Sequence, residues 1–180
     1  AFVIELASGA VRQRARLDAW IDLLATITAV KQPPLLRWLF HVGLYQIFYM
    51  DKIPVSAAVN TSVEIAKINN LGRLSKVVNA VLRRAIIASE NGEDLPSLKG
   101  FSEEFAQRHS LPIWLAKEVL EWRDKEDADA FAKASNQVPK IDLRVNCRRA
   151  SLVDVKEKLA KAGITSEAIK DSCQGLTVIS

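Results

Sequence analysis

Few side chains in this chain could do covalent or metal chemistry. The two cysteines, Cys147 and Cys173, form no CxxC or other metal-ligand spacing, and the two histidines, His41 and His109, are isolated. No GxGxxG or other glycine cluster is present to bring backbone close to a nucleotide. The residue types therefore predict no metal site, and both thiols read as reduced and structural or incidental. Cations, by contrast, do recur in patterns. Lys76, Arg83 and Arg84 lie on one segment of helical periodicity, and Arg144, Asn146, Arg148 and Arg149 lie on and just after a short strand pattern. Guanidinium and amide groups on a strand edge can contact phosphates or stack on bases, although carboxylate pairing or plain solvation would look the same in sequence. Arg12, Arg14 and Arg16, spaced by two, cannot share one helix face and so mark a turn or a helix end.

The elements that must position these groups are mostly helical. Phe2 to Val11 is a short apolar helix, and Leu17, Trp20, Ile21, Leu24 and Ile27 mark a second that ends before Pro33-Pro34. Leu35 to Met50 is apolar nearly all round, as expected of a central helix packed on most sides. Asp51 to Pro54 is a turn, with Pro54 at or near the first position of the next helix. After Gly72, a stripe of Leu74, Val77, Val78, Val81, Leu82, Ala85 and Ile86 defines an amphipathic helix whose outer edge carries the cations. That edge suggests a nucleic-acid or acidic partner. Asn60 and Asn79 sit within otherwise apolar helices, so hydrogen bonds to a neighbouring helix or loop are expected of them. Trp20, Trp38, Trp114 and Trp122 read as core or domain-packing residues, and His41 as a satisfied core histidine.

A loop from Asn91 to Gly100 leads to two or three shorter helices between Ser102 and Ala134. The texture then changes. Ile141 to Cys147 alternates as a strand, Ser151 with Asp154 caps a helix bearing Val155, Leu159 and Ala162 and stopping at Gly163, and Gly175 to Ile179 is a second strand. A strand-helix-strand piece leaves a sheet face open, so it should belong to a larger α+β domain.

At 49% hydrophobic, the 180 residues suffice for a core, and the longest apolar run is interrupted by Arg37 and His41 short of a membrane span. The start carries Glu5 and lacks the layout of a signal peptide. Charge is uneven. Residues 1–90 hold 11 Lys+Arg against 6 Asp+Glu, residues 91–135 hold 6 against 10, and residues 136–180 hold 8 against 5. Two basic segments thus flank an acidic one. The chain begins at Ala1, already inside a helical pattern, and reads as a piece of a longer protein.

The order of motifs adds a resemblance. A GLYQ helix (Gly43–Gln46), IPVSAAVN opening the next (Ile53–Asn60), VVNAVLRR (Val77–Arg84), a PxWL helix (Pro112, Trp114, Leu115) and LRVN (Leu143–Asn146) together resemble the front of the RsmB (Fmu/Sun) family of 16S ribosomal RNA cytosine-5 methyltransferases. The resemblance implies a mainly α fold: a NusB-like helical RNA-binding domain over residues 1–136, then the beginning of a small α+β, RRM-like subdomain over 137–180. It implies ribosomal RNA and the protein's own C-terminal catalytic domain as partners, a cytoplasmic setting, and S-adenosylmethionine as cofactor of the full-length parent. That family attacks carbon 6 of cytosine with a thiolate from a Pro-Cys motif. Cys147 follows Asn146 and Cys173 follows Ser172, so neither matches, and the expectation is that this piece neither catalyses nor binds the cofactor. One alternative is a stand-alone NusB-type antitermination factor, which binds RNA and a small ribosomal protein but stops after the helical bundle. Another is a helical scaffold that packs only on its catalytic domain.

Overall fold

The computed structural model describes residues 2–179, which fall into two compact units, one ending at Asn136 and the other beginning at Gln137. In the first unit, α1 (Phe2–Arg12), α2 (Arg14–Leu24), α3 (Pro34–Tyr49), α4 (Val55–Ile68) and α5 (Ser75–Glu90) form one bundle. Helix α3 is its centre, as its all-round apolar sequence requires: α1, α2, α4 and α5 all pack on it, and Leu36, Leu39, Phe40, Leu44 and Ile47 are buried. Two glycines let neighbours come close. A Cβ on Gly9 of α1 would fall 2.0 Å from the Tyr45 ring, and one on Gly43 would fall 2.8 Å from a Leu82 methyl. The Tyr45 hydroxyl donates to Glu5 at 3.0 Å, which holds that ring across α1.

Several expectations change here. Helix α2 stops at Leu24, not Ile27, because Asp22 accepts the Ala29 N–H at 2.6 Å and turns the chain into a short 3-10 segment, Ala29–Lys31. Val77 is exposed, since α5 buries the narrower line Val78, Val81, Leu82, Ala85 and Ala88, one helical step away. Asn60 is exposed, and Asn79 accepts from Arg83 of its own helix rather than from a neighbouring element.

Helices α6 (Phe101–Arg108), α7 (Ile113–Trp122) and α8 (Lys125–Ser135) close a second, smaller cluster in the same unit. Its buried set is rich in alanine (Ala106, Ala116, Ala128, Ala132) around Phe105, Leu111 and Val119. Helices brought that close leave no room for indole rings. Trp114 and Trp122 consequently stand 64% and 72% exposed, and Trp38 of α3 is 45% exposed, so only Trp20 is a core tryptophan. The cluster is tied to α2 by Ser110, whose Oγ accepts the Ala15 N–H at 3.0 Å, and by Arg16, which donates to the Arg108 carbonyl at 3.1 Å.

In the second unit, β1 (Ile141–Arg144), α9 (Leu152–Lys161), β2 (Ser166–Ala168) and β3 (Gly175–Val178) form a sheet of order β1-β3-β2, with β3 antiparallel to both neighbours. β1 and β2 therefore run parallel with β3 between them, which is a split βαβ. The Ser151–Asp154 capping box forms in both directions, and Gly163 ends the α9 region at a φ of +78°. The first strand is shorter than expected. It stops at Arg144 because Asn146 turns the chain, its side chain accepting the Arg148 N–H at 3.1 Å and its carbonyl the Arg149 N–H at 2.9 Å. Ala162, expected on the packed face of α9, is exposed; Leu152, Val155 and Leu159 make that face.

Candidate nucleic-acid interface

On α5, Lys76 and Arg83 are seven residues apart and share one exposed edge. Asn79, between them, steadies Arg83 by accepting its Nε–H at 3.1 Å. Arg84 points elsewhere. Its guanidinium donates to the Leu24 carbonyl at 2.9 Å and satisfies the C-terminal end of α2.

At the joint between α1 and α2, the arginines spaced by two do mark helix ends. Arg14 lies over the Trp38 ring of α3, 5.7 Å from its centroid. Arg16 is committed elsewhere through Asp94 at 2.6 Å. Behind Trp38 sits a polar network that the sequence pattern did not disclose. Asp18 of α2 accepts from Arg37 Nε at 2.7 Å, and His41 Nε2 lies 2.8 Å from the same oxygen. Burial alone would raise the Asp18 pKa, but the hydrogen bonds from His41 and Arg37 outweigh it and hold the carboxyl at about 2. A signal was available: Arg37 and His41 are four apart on one helix face, and Asp18 interrupts an apolar stripe.

In the second unit, Arg144, Asn146 and Arg148 line a surface concavity of ≈ 540 Å³ together with Val145, Cys147 and Gln174. Arg149 is exposed but stands outside that lining. Arg144 donates to Gln174 at 3.2 Å and, among the described residues, makes no carboxylate pair. By register, Asp142, Arg144, Glu167 and Thr177 occupy one sheet face. No Phe, Trp or Tyr occurs anywhere in residues 137–180, so this sheet offers no ring for a base to stack on. Both cysteines are free thiols on the surface.

Comparison with known proteins gives the same order of a helical domain followed by an α+β one. The NusB family matches residues 1–86, and the ferredoxin-like domain of RsmF/B-like methyltransferases matches residues 111–180. The second match begins upstream of the compact-unit boundary and takes in α7 and α8. "Probable ribosomal RNA small subunit methyltransferase B" of Synechocystis sp. is 39% identical over 97% of this chain and 39% of its own length. "Ribosomal RNA small subunit methyltransferase B" of Pseudomonas putida is 34% identical over 97% of this chain and 38% of its own length. The crystal structure of PH0851 shares the fold, with a TM-score of 0.69 at 17% identity over 94% of this chain and 37% of that one. The two matched regions define the class: a NusB bundle joined to a methyltransferase-type ferredoxin-like domain. The chain carries a NusB domain and an RsmF/B-type ferredoxin-like domain, is similar over nearly its whole length to proteins named ribosomal RNA small subunit methyltransferase B, and spans about two fifths of the length of the curated relatives it matches.

Proposed function

We propose that this chain is the N-terminal, RNA-recognising region of an S-adenosylmethionine-dependent 16S rRNA (cytosine-5) methyltransferase. It holds ribosomal RNA by phosphate and shape contacts, and its own C-terminal catalytic domain receives the target base. When bound in that domain, the cofactor supplies the methyl group. The enzyme works on ribosomal RNA in the cytoplasm, and among the described residues no helix is long and apolar enough to cross a membrane.

The observation that carries this reading is where the unpaired cations stand. In the acidic segment Arg108, Arg123 and Lys133 are paired with Glu104, Asp127 and Asp129, and Lys99, Lys117 and Lys125, unpaired among the described residues, lie in a stretch of ten carboxylates. Among the described residues, Arg12, Lys76, Arg83, Arg84, Arg144, Arg148 and Arg149 make no ion pair. Unneutralised guanidinium groups on a helix edge and a strand turn suit a polyanion. The antitermination-factor reading is disfavoured by the split βαβ and its match to a methyltransferase domain. The catalytic domain, as intramolecular partner, is favoured by exposed apolar residues on α7, notably Ile113, Trp114 and Trp122.

A mobility-shift titration with a small-subunit rRNA hairpin tests the reading. Binding at low salt that disappears between roughly 50 and 200 mM salt is expected. Absence of binding at low salt would overturn it. Calorimetric titration with S-adenosylmethionine should give no heat, because the chain has no glycine-rich cofactor loop; a low-micromolar dissociation constant would contradict the division of labour.

A further inference from the structure

We propose that Trp38, with Arg14 beside it, is a stacking platform for an unpaired RNA base, so that the first unit grips single-stranded rather than fully paired RNA. The inference rests on the RNA-recognition reading and deepens it.

Helix α3 carries an aromatic ladder, Trp38, His41, Tyr45 and Tyr49, at the three-and-four spacing of one face. The inner rungs are occupied. Tyr45 stacks on Tyr49 with centroids 5.1 Å apart, and His41 is only 1% exposed. Trp38 is the open end. Its ring meets His41 edge to face, with centroids 5.5 Å apart, and His41 is fixed in turn by Asp18. A large exposed ring thus rests on a rigid, hydrogen-bonded support, which lowers the ordering cost of any ligand that stacks on it. Arg14 completes the site. Its guanidinium is loosely held, at the far end of cation–π range over Trp38 and 4.0 Å from Asp18, with its side chain about half exposed. A base approaching the indole face can displace it toward the adjoining phosphate. Aromatic face plus mobile cation is the pairing that binds single strands, because every base has a π-face and every nucleotide a phosphate. A duplex keeps its bases stacked inside and offers this site only its backbone.

The test uses filter binding of the 180-residue chain to a short single-stranded oligoribonucleotide and to its perfect duplex, at several salt concentrations. Trp38→Ala should weaken single-strand binding about 5- to 100-fold, leave the duplex nearly unaffected, and leave the log–log salt slope unchanged. Trp38→Phe should keep most of the affinity. Arg14→Gln should lower the single-strand slope by about 0.7. Trp114→Ala, which removes an indole at least as exposed from the acidic segment, should change nothing. Wild-type affinity for single strands in Trp38→Ala overturns the inference while leaving the RNA reading intact, and is the result expected if Trp38 instead packs on protein. Equal losses for single strand and duplex also overturn it, since they report a disturbed bundle. If the wild-type chain binds neither RNA, both readings fall.

Discussion

The two units present their cations on different foundations. In the first, arginines at the α1–α2 joint and on α5 sit on a bundle whose centre is a helix of stacked and edge-packed rings. In the second, Arg144, Arg148 and Arg149 sit on a three-stranded sheet without a single aromatic side chain, backed by a helix with no fully buried residue. Similar charge therefore permits different chemistry. The sheet can neutralise phosphates and accept or donate hydrogen bonds through Asn146, but it has no ring with which to hold a base. The bundle can do both. A ferredoxin-like fold alone thus does not imply the ring-stacking use of its sheet.

The difference in foundations should show first in stability. Leu39→Ala or Leu44→Ala, in the centre of α3, should cost roughly 2–5 kcal/mol in denaturant unfolding. Exposed Lys99→Ala should change stability by less than about 0.5 kcal/mol. In the second unit Leu176 is the largest fully buried side chain. Leu176→Ala should therefore remove hydrogen-exchange protection from β1 and β3 while the α3 amides stay protected. Equal loss in both units would mean they do not fold as separate cores.

The next effect is smaller and separates the bundle from the sheet by pH. Asp18 is held at about 2, below its ordinary 3.8. A depressed carboxyl stabilises the fold above its unfolded pKa, and that contribution fades as pH falls through the folded value. Roughly 2 kcal/mol should thus disappear between about pH 4 and pH 2. Asp18→Asn should remove most of this acid dependence at the cost of a bundle already weaker at neutral pH. An unchanged acid midpoint in the variant would show that the network with Arg37 and His41 contributes little.

What was legible in the sequence was local. An all-round apolar run placed α3, the Ser151–Asp154 pair placed the start of α9, and arginines spaced by two placed the α1–α2 joint, because each follows from neighbours in the chain. What escaped depended on distant partners. Asp18 meets Arg37 and His41 only once α2 packs on α3, and Ser110 caps α2 from more than ninety residues away. Strand β2, at three residues, is too short for any alternation to register. The tryptophans could not be sorted into buried and exposed ones, because an indole outside an alanine-lined cluster has the same helical spacing as one inside it. Among the candidate RNA residues, Arg84 could not be told from Arg83 until the Leu24 carbonyl was seen beneath it.

The central claim is that the unpaired cations of the two basic segments, residues 1–90 and 136–180, bind RNA phosphates, and it is tested most directly by the salt dependence of binding to a small-subunit rRNA hairpin. Charge reversal at Lys76 and Arg83, or at Arg144 and Arg148, should weaken binding and lower the log–log slope by roughly 0.7 to 0.9 for each phosphate left unneutralised. Reversal at Lys117 and Lys125, set among acidic residues, should leave both quantities as they were. Binding that persists with unchanged affinity and slope in both double reversals would contradict the account.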